Sequence, residues 1–322
     1  MLTTELLIPF SLGFAFVLMV MPIFIGFFRT KKMGQAIREE GPQAHLAKSG
    51  TPTMGGFVFL ISIVLASLIT TLWLKEVTPF YGIVIFILML YGGLGFVDDF
   101  LKVFKKQNLG LNSLQKLIGQ IVGGIILYGV IKMEGISETL ALPWGGSIHI
   151  GVLYGVFCVF WLVGFSNAVN LTDGIDGLVS GLGMISFLTY AFIAWKQHQI
   201  DIALICITTA GALFGFFFYN KKPAKIFMGD VGSLALGGML AAISILLEKE
   251  WTLLLIGFVY VVETASVMLQ VASFKLTGKR IFKMSPIHHH FELSGWTEWK
   301  IDIVFWIVGL IMSGLTLGIL YL

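Results

Sequence analysis

Long apolar runs constrain this sequence more than any other feature. Stretches of about 17 to 25 apolar residues can cross a hydrocarbon core of about 30 Å as helices, which satisfy their own backbone amides there. Of the 322 residues, 57% are apolar and only 12% are charged, whereas soluble domains carry about 25% charged residues. The sequence predicts an all-α polytopic membrane protein with about ten transmembrane helices, at 5–28, 53–74, 80–97, 115–132, 151–168, 177–195, 201–219, 231–247, 252–274 and 301–321.

Lysines and arginines are distributed unevenly among the loops that join these runs. Alternate threading places all but four of the 21 basic residues on one side, in loops 29–52, 98–116, 169–176, 220–230 and 275–300. Because positive residues are retained on the cytoplasmic side, we expect these loops to face the cytoplasm and both termini to lie outside. The formal net charge of +3 is small and gives no indication of nucleic-acid binding.

The segment between the fourth and fifth runs has the pattern of a small β-hairpin. Short alternating stretches in 133–150 lie on either side of Pro143 to Gly146, as expected for two strands joined by a turn. The loop assignment puts this hairpin on the outer face. No internal repeat or linker interrupts the chain, so we expect one integral membrane domain over residues 1–322.

Aspartates are concentrated where three predicted cytoplasmic loops meet their helices. Five of the seven aspartates in the chain, Asp98, Asp99, Asp173, Asp176 and Asp230, lie there. Adjacent carboxylates repel each other unless a cation or a proton compensates, and Mg²⁺ prefers carboxylates together with substrate phosphates. Taken singly, each aspartate is compatible with a helix cap or a solvated turn. Taken together, they favour a phosphoryl-transfer site that uses a divalent cation.

Lysines follow the first pair of aspartates at helical spacing. Lys102 and Lys106 come four and eight residues after Asp98, so all three share a face if the loop begins as a helix. They are candidates for screening a substrate phosphate. Attraction to anionic lipid headgroups explains them equally well.

Three consecutive histidines, His288, His289 and His290, lie in the last predicted cytoplasmic loop. Successive residues of a helix point about 100° apart, and no other cysteine or histidine completes a zinc-ligand set. Hydrogen bonding to a phosphate is therefore the better functional interpretation. Ordinary helix packing is the alternative for one or two of them.

Glu263 lies midway along the ninth apolar run. An ionised carboxylate there costs several kcal/mol unless it is paired or faces water. The residue therefore lines a cavity or marks a broken helix, or it is protonated and packs between helices. The sequence leaves these alternatives open.

Five segments occur in order along the chain: Lys48 to Gly56, Asp98-Asp99, Asn167 to Gly177, Phe227 to Ser233 and Ser285 to Glu292. Together they resemble the bacterial phospho-N-acetylmuramoyl-pentapeptide-transferases. That family lies within the wider superfamily of polyprenyl-phosphate hexosamine-1-phosphate transferases. The histidine segment is typical of the muramoyl branch.

The resemblance implies a reaction and a set of residues. Undecaprenyl phosphate would attack the diphosphate of UDP-N-acetylmuramoyl-pentapeptide, releasing UMP, with Mg²⁺ as cofactor. Asp230 would ligate Mg²⁺, with Asp98 and Asp99 as further candidate ligands, and a homodimer is also implied. The catalytic candidates are Asp98, Asp99, Asp230 and His288. The substrate-binding candidates are Lys48, Thr53, Lys102, Lys106, Asn170, Asp173, Gly174, Asp176, Asn220, Phe227, Glu263, His289 and His290.

Other hypotheses predict different observations. A related transferase would use another hexosamine, and a two-step route would pass through a phosphorylated aspartate. A secondary transporter would place its binding residues near the bilayer midplane on paired broken helices. Only Glu263 lies so deep, and no inverted repeat is evident. A membrane scaffold without enzymatic activity leaves the boundary aspartates unexplained.

Overall fold

Helices form nearly all of the regular structure in this computed structural model, which describes residues 2–31, 48, 50–104, 110–143 and 145–322. The helices are α1 (Leu2–Thr30), α2 (Gly55–Leu74), α3 (Pro79–Phe104), α4 (Ser113–Met133), α5 (Leu153–Thr172), α6 (Leu178–Lys196), α7 (Ile200–Asn220), α8 (Asp230–Leu246), α9 (Thr252–Ile256), α10 (Phe258–Thr277), α11 (Ile287–Glu292) and α12 (Glu298–Tyr321). The prediction of an all-α polytopic membrane protein is confirmed.

Nine helices within the described ranges are long and apolar enough to cross a membrane. The predicted eighth span is α8, which has 17 residues and at about 1.5 Å per residue is only about 26 Å long. Nearly all of α8 is buried, where it packs against α3 and α5. Its many glycines and alanines allow these neighbours to approach closely, as is common between membrane helices.

The predicted ninth span, 252–274, is two helices rather than one. The short α9 ends at Ile256, and α10 begins at Phe258 after an interruption at Gly257. A broken helix was one of the alternatives that the sequence left open for this span. The break falls several residues before Glu263, which lies inside α10. Apolar residues at 252–274 continue across the break, so the hydropathy pattern alone did not reveal it.

The predicted hairpin is present. Strands β1 (Thr139–Ala141) and β2 (Ser147–His149) pair antiparallel, with Leu140 opposite Ile148. Trp144, in the predicted turn, lies outside the described residues. The hairpin follows the last turn of α4, so it lies at the opposite end of that helix from Lys116.

Local signals explain where two of the helices begin. Asn112 and Gln115 form a capping box at the start of α4, with the Asn112 side chain accepting from the Gln115 amide at 2.8 Å. The hydroxyl of Thr297 accepts from the amide of Lys300 at the start of α12. Such caps satisfy amides that the first helical turn leaves free. These caps fix the starts of α4 and α12, and both helices carry charged residues in their first turns.

Candidate active site

Three aspartates from two helices converge at one end of the bundle. Asp98 and Asp99 lie near the end of α3, and Asp230 is the first residue of α8. One carboxylate oxygen from each lies within 4.8 Å of the others. Asp98 and Asp99 are buried, and Asp230 is partly exposed. We call Asp98, Asp99 and Asp230 the acidic cluster.

Backbone and amide groups fix the orientation of these carboxylates. The amide of Leu111 donates to Asp98 Oδ1 at 2.7 Å, and that of Val231 donates to Asp99 Oδ2 at 3.1 Å. Asp99 thus lies at the N-terminus of α8, where unpaired amides and the helix dipole stabilise negative charge. Asn170, a predicted substrate-binding residue, donates from Nδ2 to Asp230 Oδ1 at 2.9 Å. Asn170 therefore orients a member of the acidic cluster directly.

Two lysines compensate part of the negative charge. Lys102 Nζ lies 2.5 Å from Asp98 Oδ2 and 3.4 Å from Asp230 Oδ2. Lys116 Nζ lies 3.0 Å and 2.7 Å from the same two oxygens. The sequence pattern predicts a cytoplasmic position for Lys116 but gives no sign that this lysine belongs to the site. Lys106, a predicted substrate-binding residue, lies outside the described residues.

The acidic cluster fits a hard divalent cation. Its ligand atoms are carboxylate oxygens, the donor type that Mg²⁺ prefers, and no soft thiolate is among them. Among the described residues, these three carboxylates contact two ammonium groups, and a cation would neutralise negative charge that remains. A metal ion bound here would be held by groups from α3 and α8 together.

The loop before α8 brings a fourth aspartate close to the acidic cluster. Gly229 has φ +78°, and a Cβ there would lie 2.4 Å from Asp99 Oδ2, so only glycine fits. Its backbone also lies near the Asp173 carboxyl group. Burial raises the pKa of Asp173 to about 8, and the charges of Asp230, Asp99 and Asp176 add to the effect. Thr53, which is buried, lies beside Gly229.

A second group of charged residues lies in the same part of the structure. Lys48 Nζ is 2.7 Å from Asp176 Oδ1 and 2.8 Å from Glu298 Oε2, and Lys222 Nζ is 2.5 Å from Glu298 Oε1. We call Lys48, Asp176, Lys222 and Glu298 the lysine–carboxylate network. Burial alone lowers the pKa of Lys48, but its hydrogen bonds and the charges of Asp176 and Glu298 outweigh burial and raise it.

Backbone hydrogen bonds hold the segment after Lys48 against the segment before α8. The Phe227 amide donates to the Pro52 carbonyl at 2.8 Å, and the Gly55 amide donates to the Phe227 carbonyl at 2.9 Å. The Phe227 side chain is only partly buried. Both ends of the Asn220 amide contact protein groups: Oδ1 accepts from the Gly177 amide at 3.2 Å, and Nδ2 donates to the Ile226 carbonyl at 3.1 Å. The Asn220 side chain therefore holds the turn before α6 and the segment before α8 together.

The three histidines have three different partners. His288 Nδ1 lies 3.1 Å from Glu263 Oε2, and both side chains are 0% exposed. His289 Nδ1 lies 2.6 Å from Glu292 Oε2. His290 Nδ1 accepts from the amide of Lys283 at 3.1 Å. The rings of His288 and His289 also contact each other, with their centroids 4.1 Å apart.

The buried pair of Glu263 and His288 connects α10 and α11 to the loop after α5. A Cβ at Gly174 would lie 2.2 Å from His288 Nε2, so the imidazole occupies the space that a side chain at position 174 would need. The imidazole and the backbone amide of His288, which donates to Glu263 Oε2 at 3.5 Å, give this glutamate polar neighbours within an apolar helix. The sequence had not indicated which residue would pair with Glu263.

Fold and site together describe a polytopic membrane protein with a carboxylate-rich centre that suits a divalent cation. Residues 81–248 match the sequence profile of glycosyl transferase family 4. This segment runs from α3 to the end of α8, so it contains the whole acidic cluster.

Full-length relatives give a narrower assignment. The chain is similar to phospho-N-acetylmuramoyl-pentapeptide-transferases of Enterococcus faecalis (65% identical, covering 99% of both chains), Enterococcus hirae (62%, 99% of both) and Latilactobacillus sakei (59%, 98% of this chain and 99% of the relative). The chain belongs to the family of phospho-N-acetylmuramoyl-pentapeptide-transferases. The predicted family and the prediction of an enzyme are confirmed, and the transporter and scaffold hypotheses lose their support.

Proposed function

We propose that this enzyme transfers phospho-N-acetylmuramoyl-pentapeptide from UDP-N-acetylmuramoyl-pentapeptide to undecaprenyl phosphate. The products are UMP and undecaprenyl-pyrophosphoryl-N-acetylmuramoyl-pentapeptide (lipid I), in the first membrane step of peptidoglycan synthesis. One observation carries the proposal: three aspartates meet within 4.8 Å at one end of a membrane-helix bundle, in a chain with full-length relatives named for this transfer.

The reaction forms one phosphorus–oxygen bond and breaks another. An oxygen of the lipid phosphate attacks the sugar-linked phosphorus, and the bond from that phosphorus to the oxygen bridging to UMP breaks. Asp98 would accept a proton from the lipid phosphate where one is present. Lys102 and Lys116 are placed to stabilise negative charge that spreads over the phosphoryl oxygens. The direct route needs no phosphorylated aspartate.

Mg²⁺ is the proposed cofactor, held by Asp230 together with Asp98 and Asp99. When bound, it would neutralise charge on the phosphates and on the three carboxylates. Asn170 would keep Asp230 oriented for this role through its 2.9 Å hydrogen bond. The amide of Val231 would do the same for Asp99.

The nucleotide would bind between the acidic cluster and the lysine–carboxylate network. The partly exposed ring of Phe227 offers a face on which uracil can stack. Lys48, Asp173 and Asp176 would supply polar contacts, with Thr53, Gly174 and Asn220 shaping the pocket. His289 and His290 would contact the sugar or a phosphate. His288 and Glu263 would support that contact from the interior.

We further propose that the site faces the cytoplasm of a bacterial plasma membrane, with both termini outside. The distribution of lysines and arginines supports this orientation. Residues 1–322 would act as one integral membrane domain. A homodimer is a further proposal from the family resemblance.

The direct test is turnover by the purified protein in detergent or nanodiscs. Incubation with Mg²⁺, UDP-N-acetylmuramoyl-pentapeptide and a polyprenyl phosphate should release UMP, and EDTA should abolish the release. Covalent phosphate on the protein after incubation with the nucleotide sugar alone would favour the two-step route. Absence of UMP release with both substrates and Mg²⁺ would overturn the proposed function.

A further inference from the structure

Glu298 is a buried carboxylate with a lysine on each oxygen. It is the first residue of α12 and is only 4% exposed. Oε2 accepts from Lys48 at 2.8 Å and Oε1 from Lys222 at 2.5 Å. Removing a carboxylate from water is costly unless opposite charges and hydrogen bonds compensate. The two lysines provide that compensation, and Glu298 in turn restricts where their ammonium groups can lie.

Lys48 is the more constrained of the two lysines. Its ammonium group also donates to Asp176 Oδ1 at 2.7 Å, and Asp176 Oδ2 accepts from the Ala224 amide at 3.0 Å. Three chain segments therefore meet at this ammonium group: residue 48, the turn after α5, and α12. A fourth, between α7 and α8, holds Asp176 through its other oxygen. Lys48 precedes α2, and these two carboxylates hold its ammonium group. Its position consequently depends on Asp176 and Glu298.

The number of N–H donors on the Lys48 ammonium group shows how many further hydrogen bonds this group can donate. A lysine ammonium has three N–H donors, and the two carboxylates use two of them. No described residue accepts from the third, and the Lys48 side chain retains 14% exposure. A uracil carbonyl and a diphosphate oxygen are both suitable acceptors. A lysine already held in one orientation loses less conformational entropy when it binds.

We propose that Glu298 is a positioning residue for nucleotide binding, which acts by holding Lys48 opposite Asp176. The inference rests on the proposed function, because it assumes that the substrate is a uridine nucleotide. Glu298 itself contacts only protein groups in this role. Its effect should therefore appear in the affinity for UDP-N-acetylmuramoyl-pentapeptide and not in the chemical step.

The alternative is that Glu298 only stabilises the packing of α12 against the other helices. Glu298→Gln preserves size and shape while removing the charge that attracts the two lysines. If Glu298 positions Lys48, the substitution should raise KM for the nucleotide sugar about tenfold. The kcat and the KM for the lipid phosphate should change by less than about twofold. If Glu298 only stabilises this packing, the thermal unfolding midpoint of Glu298→Gln should fall, and its affinity for the nucleotide sugar should not change selectively.

A double-mutant cycle tests whether the effect passes through Lys48. Lys48→Met should raise KM for the nucleotide sugar at least as much as Glu298→Gln. Adding Glu298→Gln to Lys48→Met should then change KM by less than about twofold. Multiplication of the two single effects would overturn the proposal. Glu134→Gln, at an exposed position after α4, is the matched control and should resemble the wild type.

Equilibrium binding of UDP-N-acetylmuramoyl-pentapeptide without lipid acceptor separates this inference from the proposed function. Weaker binding by Glu298→Gln supports the inference even if no turnover is observed. Normal binding by this variant, or no binding by the wild type, overturns it. If Glu298→Gln does not fold, the same binding measurement is made with Glu298→Asp, which shortens the side chain by one methylene. It should give an intermediate loss of affinity.

Discussion

The acidic cluster and the lysine–carboxylate network use similar residues in different arrangements. In the acidic cluster, three carboxylates converge and the two lysines both contact Asp98 and Asp230. In the network, lysines and carboxylates alternate from Lys222 through Glu298 and Lys48 to Asp176. Within the part of the chain that the structure describes, the acidic cluster has three carboxylates for two ammonium groups, whereas the network has two of each.

This difference indicates different uses of the two regions. Excess negative charge at a cluster of oxygen ligands is suited to a divalent cation, and changes there should affect the chemical step. A neutral, mutually paired network holds side chains in place, and changes there should affect substrate affinity. The predictions below test this division.

The largest effect is expected from the acidic cluster. Asp98→Asn, Asp99→Asn and Asp230→Asn are nearly isosteric, and each should lower kcat for UMP release about 10³-fold, because charge stabilisation at a transition state is typically worth this much. Steady-state kinetics with saturating substrates provide the measurement. Asp201→Asn, at a buried aspartate in the first turn of α7, is the control and should retain activity. Near-normal kcat in all three cluster variants would refute the assignment.

Lys116 should give the next largest effect. Lys116→Met removes an ammonium group within 3.0 Å of Asp98 and 2.7 Å of Asp230, and we expect kcat to fall about 10²-fold with a smaller change in nucleotide KM. Lys132→Met is a matched control, because Lys132 lies on the same helix and pairs with Glu138 at its other end. A selective rise in nucleotide KM for Lys116→Met would contradict the division between the two regions.

The smallest effect concerns stability and pH. Because burial raises the pKa of Asp173 to about 8, the folded protein binds a proton there that the unfolded chain has released above about pH 4. The stability contributed by this proton is fully present below about pH 4 and is lost as pH rises through about 8. The unfolding midpoint of the wild type, without substrates and with EDTA, should decline between pH 6 and 9.

Asp173→Asn removes this titration and keeps a side chain of nearly the same size and shape. The variant should therefore show a flatter midpoint over the same pH range. Equal slopes for the variant and the wild type would show that Asp173 ionises normally in the folded protein.

Sequence reasoning anticipated much of the bundle and part of the site. Hydropathy predicted the helices because membrane spans require long apolar runs. It did not reveal the interruption at Gly257, since apolar residues continue on both sides of the break. The five aspartates stood out because charged residues are rare in this chain. The partners Lys116 and Glu298 did not, because each is a single charged residue at a helix start, where such residues are common without a special role.

The sequence by itself determined that the chain is a membrane bundle, because apolar runs of this length are stable in no other solvent. It also determined which polar residues lie near the ends of its helices. Only the tertiary structure decided which of them meet. Asp98 approaches Asp230, and Lys48 reaches Glu298, across more than one hundred residues of chain. These contacts result from the packing of α3 against α8 and the docking of α12, and periodicity along one helix carries no information about such packing.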